Sequence, residues 1–203
     1  MDIRKLFSLE GRVALVTGAT HGLGMAVATA LAGAGATLAV NGHSADRLDK
    51  ALKTYENKGI DAKGYLFDVT DEQAVAEGVA RIEREAGPID ILVNNAGIIK
   101  RIPALEMTLP EWNEVIATDL TSPFLMSRAV AAGMIRRGHG KIVNMCSMMS
   151  EVGRSSVTAY AAAKGGLKML TKNLATEWAK HNIQVNGIGP GYFATEQTAP
   201  IRV

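Results

Sequence analysis

Apolar residues along the 203-residue chain fall into two alternating patterns. Contiguous aliphatic runs at 13–17, 37–40, 65–67, 89–93, 141–145 and 183–188 predict strands. Between them, segments 23–34, 45–57, 71–85, 110–137 and 158–180 carry apolar residues at helical spacing. Strands without polar alternation, such as Val13-Ala14-Leu15-Val16, have no solvent-facing side, which points to a parallel sheet covered on both faces. Right-handed crossovers then build an α/β fold with a doubly wound, Rossmann-like parallel sheet, read as a single domain over residues 1–203. In such sheets ligands bind beyond the carboxyl ends of the strands, so functional residues should sit just after the apolar runs.

Composition narrows the class. Lys plus Arg total 22 against 20 acids, a net charge of +2, so nothing draws a polyanion and no nucleic-acid partner is expected. A single cysteine, Cys146, excludes an intramolecular disulfide and a Cys-based zinc site, and fits a reducing compartment. No metal is expected. No signal-like stretch follows Met1, and no uncharged apolar window approaches membrane-spanning length. The expectation is a soluble cytoplasmic protein without a membrane partner.

The first strand runs into Thr17-Gly18-Ala19-Thr20-His21-Gly22-Leu23-Gly24. A helix starting here offers unpaired N–H groups and a positive dipole end to a pyrophosphate. Gly18 allows the sharp turn, Gly22 the approach to phosphate, and Gly24 the contact of helix with strand. Taken alone, the turn is also compatible with an α/β fold that binds nothing. Glycines at offsets 0, 4 and 6 resemble the TGxxxGxG signature of the classical short-chain dehydrogenases/reductases. That resemblance extends to Asp68-Val69 after the third strand and to Asn94-Asn95-Ala96-Gly97 after the fourth. It implies that Thr20, His21, Leu23, Asp68, Val69, Asn95, Ala96 and Gly97 join the three glycines in binding a nicotinamide dinucleotide.

The choice between NAD and NADP lies after the second strand, where an acid would bond the ribose hydroxyl of NAD. The chain has Asn41-Gly42-His43-Ser44 and no carboxylate. His43 and His21 fall at positions that are often basic in NADP-specific members, so NADP is expected in preference to NAD; two solvated loop histidines are the equally compatible alternative.

Ser147 follows the fifth strand, Tyr160 comes 13 residues later, and Lys164 lies one helical turn beyond. An ammonium favours the ionised form of a neighbouring phenol. Tyr160 can therefore remove an alcohol proton as hydride leaves carbon, or return it in the reverse direction, with Ser147 orienting the substrate oxygen. The resemblance also implies that Tyr160 and Lys164 touch the nicotinamide ribose. The family usually places Asn in the helix after the fourth strand, where this chain has Asp119. An Asp keeps the helix kink but adds a charge near Lys164, so the proton-relay detail departs from the family pattern. Pro190-Gly191 and Thr195 match the loop that holds the carboxamide.

Segments after the fourth, fifth and sixth strands resemble the gluconate 5-dehydrogenase group of that family, which interconverts gluconate and 5-ketogluconate. Arg101 is the expected carboxylate anchor, preferred to Lys100 for its planar fork, although an ordinary solvated loop is the alternative. Ser147, Met149 and Tyr160 are expected to line the substrate site, with Cys146 facing away into the core. The runner-up readings are a 3-oxoacyl-carrier-protein reductase, another polyol dehydrogenase, or a dinucleotide-binding protein without turnover. The resemblance implies a homo-oligomer, tetramer or dimer, joined through segments 110–137 and 158–180. It also implies a further C-terminal strand beyond Val203, so a sequence that is truncated or omits a disordered end is expected.

Overall fold

The computed structural model describes residues 3–194. After a short helix α1 (Ile3–Leu6), strands β1 (Val13–Val16), β2 (Thr37–Gly42), β3 (Ala62–Leu66), β4 (Ile89–Asn94), β5 (Gly140–Met145) and β6 (Ile183–Ile188) form one sheet in the order β3-β2-β1-β4-β5-β6. Every pairing is parallel, and the order reverses between β1 and β4. The doubly wound sheet read from the sequence is therefore present, with its crevice at the β1/β4 switch point.

Alternate residues of each central strand feed opposite layers. Val13 and Leu15 join Leu92 and Ile142 against helices α4 (Glu72–Ala86), α6 (Ser122–Arg137) and α7 (Thr158–Trp178), while Ala14 and Val16 join Leu38 and Val93 against α2 (Gly22–Gly33) and α3 (Ala45–Asn57). Burying one such aliphatic side chain contributes about 1.5–3 kcal/mol. Between β4, β5 and the helices runs a buried polar chain. Asn94 Nδ2 donates to Asn144 Oδ1 at 2.8 Å and to Ser127 Oγ at 3.0 Å, and Asn144 Nδ2 donates to Thr171 Oγ1 at 2.9 Å. Buried amides need such partners, and these bonds fix the height of the two strands whose ends carry the site.

Two elements differ from expectation. The third strand starts earlier, at Ala62, and stops before Phe67. It is an edge strand with only Tyr65 fully buried, so its apolar signal is weak and displaced. The helix expected over 110–137 is interrupted: α5 (Leu109–Ile116) passes through a five-residue π-turn, Ala117–Thr121, into α6. The wide turn accommodates one extra residue, and its polar side chains stabilise it locally. Thr118 Oγ1 donates to the Glu114 carbonyl at 2.9 Å and Ser122 Oγ to the Thr118 carbonyl at 2.7 Å. Pro123 follows the π-turn within a continuous helix, so it withholds a backbone N–H from the carbonyls of that turn. Among the described residues no helix is long and apolar enough to cross a membrane.

Candidate active site

The glycine-rich turn docks on the loop after β4. Gly18 has φ +61°, and a Cβ there would meet Ala96 Cα at 2.9 Å. A Cβ on Gly24 would meet the Gly18 carbonyl oxygen at 2.6 Å and collide with the Asn95 amide. That amide donates to the carbonyls of Thr17 at 2.9 Å and Gly18 at 3.1 Å, while Thr17 Oγ1 accepts from the N–H groups of Asn95 and Ala96. The sequence thus uses glycine where backbone must touch backbone. Helix α2 starts at Gly22 (φ +56°), and its N-cap, His21, makes no side-chain capping bond, which leaves the first-turn N–H groups for a ligand.

One cleft of about 720 Å³ runs from this turn across the carboxyl ends of the strands. Its walls include Gly18, Thr20, His21, Gly22, Leu23, Gly24, His43, Asp68, Val69, Asn95, Ala96 and Gly97 at one end. Asp119, Ser147, Met149, Tyr160, Lys164, Pro190, Gly191 and Arg101 line the other. The structure brings all these sequence-selected residues together; Thr195 lies outside the described residues. Asp68 Oδ1 accepts from the N–H and hydroxyl of Thr70, both at 2.8 Å, a turn that presents the next backbone to the cleft.

At the far end Ser147 caps a short turn: its Oγ accepts the Met149 N–H at 3.1 Å, leaving the hydroxyl proton to be donated. Ser150 Oγ donates to the Lys164 carbonyl at 2.9 Å, tying this turn to α7. The Met148 N–H donates to the Pro190 carbonyl at 3.1 Å, tying it to the loop after β6. Small residues Ala159, Ala163 and Gly166 on α7 allow the π-turn to approach closely; a Cβ at Gly166 would meet Leu120 at 2.9 Å. Lys164, 4% exposed, therefore reaches two fixed partners. Its Nζ donates to the Met145 carbonyl at 2.8 Å and lies 3.1 Å from Asp119 Oδ2, and it stands 5.5 Å from the Tyr160 ring centre. Asp119 is fully buried, and its Oδ1 accepts the Ile98 N–H at 2.7 Å. Burial pushes its carboxyl above the usual range, opposed by the Lys164 ammonium and the Ile98 N–H.

Cys146 is half-buried and belongs to the cleft wall as a residue, while its thiol lies toward β6 and α7, where a Cβ on Gly187 would meet Sγ at 3.0 Å. Burial pushes its thiol pKa up. Lys100 is held in an ion pair by Glu114 at 2.5 Å and is not part of the cleft wall, whereas Arg101 is.

Sequence reasoning missed Arg47, Arg154 and Tyr192, which also line the cleft. Arg47 sits in the first turn of α3, three residues beyond Ser44 and close to the segment after β2 that governs nucleotide choice, so its position is legible in the sequence. Arg154 Nη1 donates to Tyr192 Oη at 2.8 Å and lies over its ring at 5.7 Å. No periodicity marks such a pairing between two irregular segments.

A glycine cradle feeding a Ser, Tyr and Lys cluster on a doubly wound sheet is the arrangement of a dinucleotide-dependent oxidoreductase. The sequence pattern of the short chain dehydrogenase family matches residues 12–203, and the chain belongs to that family. It is 63% identical to a 2-dehydro-3-deoxy-D-gluconate 5-dehydrogenase of Formosa agariphila, over 98% of this chain and 75% of that protein. It is 50% identical to the gluconate 5-dehydrogenase of Gluconobacter oxydans, over 95% of this chain and 75% of that protein. A crystal structure of a gluconate 5-dehydrogenase from Burkholderia cenocepacia, in complex with NADP and tartrate, superposes with a TM-score of 0.91 at 40% identity, covering 96% of this chain and 76% of that one.

Proposed function

We propose that this chain exchanges a hydride between NADP and carbon 5 of a six-carbon sugar acid, gluconate/5-ketogluconate or its 2-dehydro-3-deoxy counterpart. The convergence of the glycine cradle with Ser147, Tyr160 and Lys164 in one cleft carries the reading. The two relatives named above both act, by their names, at position 5 of a gluconate skeleton.

The residues fit a dinucleotide: uncapped N–H groups of α2, left-handed glycines, and a floor formed by Asn95 and Ala96. When bound, that cofactor supplies the hydride acceptor or donor. Ser147 donates its hydroxyl proton to the substrate oxygen and holds it near Tyr160. In oxidation the ionised Tyr160 phenol takes the hydroxyl proton while the C–H electron pair departs as hydride; in reduction the neutral phenol returns the proton to the oxygen. Lys164 holds positive charge one turn below. NADP is favoured over NAD because Gly42, at the end of β2, offers no carboxylate to a ribose hydroxyl, while His21, His43 and Arg47 line that end. Arg101, with Arg154 and Tyr192 also in the cleft lining, supplies the charge a carboxylate requires. Exposed Phe124 and Met169 on α6 and α7 support the homo-oligomer reading, and one cysteine supports a cytoplasmic setting.

Following cofactor absorbance with gluconate, 5-ketogluconate, 2-dehydro-3-deoxygluconate and an acetoacetyl thioester tests this. Turnover of the sugar acids with a higher kcat/KM for NADP than for NAD is expected; turnover of the thioester alone, or of nothing, contradicts it. Arg101→Ala is expected to raise the KM for gluconate about tenfold or more, the scale of one lost charged hydrogen bond. An unchanged KM removes Arg101 as the anchor.

A further inference from the structure

Arg154 lies seven residues after Ser147, in the irregular segment between the short turn that Ser147 caps and α7. Tyr192 lies two residues after Pro190, whose carbonyl accepts the Met148 N–H. Both line the cleft, and these tethers put them at the Ser147 end rather than at the glycine-rich turn. The acids at this end already have lysine partners: Asp119 has Lys164, Glu114 has Lys100, and Glu151, three residues before Arg154, has Lys168. Among the described residues Arg154 has no carboxylate partner; its Nη1 donates to the Tyr192 phenol at 2.8 Å and its guanidinium lies over that ring at 5.7 Å. One bond and one stacked face leave the other N–H groups of the planar fork for a ligand. Both side chains are exposed, so their pairing adds little to stability. The same segment is tied to the loop that carries Arg101. The Ile102 N–H donates to the Ser156 carbonyl at 2.9 Å, and Ser156 takes a left-handed backbone, φ +64°, which a residue with a side chain keeps only where its surroundings impose it.

We propose that Arg154 is the residue that makes this site select sugar acids over neutral polyols: its guanidinium engages the substrate carboxylate together with Arg101, and Tyr192 is a positioning residue that aligns it. The inference rests on the sugar-acid reading above. A gluconate that presents carbon 5 to Ser147 and Tyr160 carries its carboxylate four carbon–carbon bonds away, so the group that recognises it must stand off from the reacting cluster. Two guanidinium forks on two tethered loops can share the carboxylate oxygens between them. A neutral polyol offers only hydroxyls at that end and gains far less from the charge, and selectivity is that difference.

The test is Arg154→Gln in the full chain with NADP, assayed on gluconate and on glucitol, which has a hydroxymethyl group where gluconate has its carboxylate. Glucitol is read as a substrate or, where it is not turned over, as a competitive inhibitor. Gln keeps a polar end and removes the charge. The KM for gluconate should rise about five- to tenfold with kcat nearly unchanged, the scale of one charged hydrogen bond that stays partly hydrated. The glucitol constant and NADP affinity should not move, so the preference for the acid falls by the same factor. Arg154→Lys should restore part of that preference, because the charge returns without the fork. Tyr192→Phe keeps the ring and loses the oxygen that holds Nη1; it should raise the gluconate KM about twofold and leave glucitol unchanged. An unchanged gluconate KM in Arg154→Gln overturns the inference. So does an equal loss with glucitol, which would make Arg154 a fastener of its loop. Wild-type turnover of glucitol with none of gluconate or 5-ketogluconate would instead overturn the sugar-acid reading itself, so the two failures are distinguishable.

Discussion

Lys164→Met is expected to lower turnover at least a hundredfold and to destabilise the fold by about 3–5 kcal/mol, the usual cost of orphaning a buried ionic partner. The chemical loss follows because the phenol then loses the ammonium that stands 5.5 Å from its ring centre. The stability loss follows because Asp119, fully buried, keeps only the Ile98 N–H as a partner. It depends on pH in a defined direction. The Asp119 carboxyl is already raised by burial, and removing Lys164 removes a force that lowers it. A group with a raised folded pKa contributes stability below its unfolded value, near 4 for a carboxylate, and loses it as pH rises through the folded value. The variant should therefore approach wild-type stability in acid and fall behind it progressively above about pH 4. Chemical denaturation at several pH values measures this; a constant deficit would mean that Asp119 is not the orphaned partner.

Much of this arrangement is legible in the sequence because parallel strands bury both faces and so announce themselves as unbroken apolar runs. The segments 13–17 and 183–188 mark β1 and β6 closely for that reason. β3 was harder: at the sheet edge, Ala62-Lys63-Gly64 pairs with β2 through its backbone while carrying little apolar signal. The π-turn was invisible to periodicity, since Ala117-Thr118-Asp119-Leu120-Thr121 continues the helical spacing of its neighbours. The clues were an acid, Asp119, within an otherwise inward-facing stripe, and Pro123 soon after it. The site motifs were readable because glycine contacts and the Tyr160/Lys164 turn depend on local spacing. The Arg154 and Tyr192 pairing depends on how two irregular segments meet, which no local rule encodes.

The phenol is the centre of the account. Tyr160→Phe removes one oxygen and leaves the ring, the helix and the Lys164 contacts in place, so NADP affinity and stability should change little. Oxidation of a turned-over sugar acid should nevertheless fall by about 10²–10⁴, the range supplied by a positioned acid–base group. Steady-state kcat for the variant beside a binding titration with NADP is the direct measurement. Intact binding with turnover lowered on that scale is the predicted result, and oxidation at the wild-type rate would contradict it.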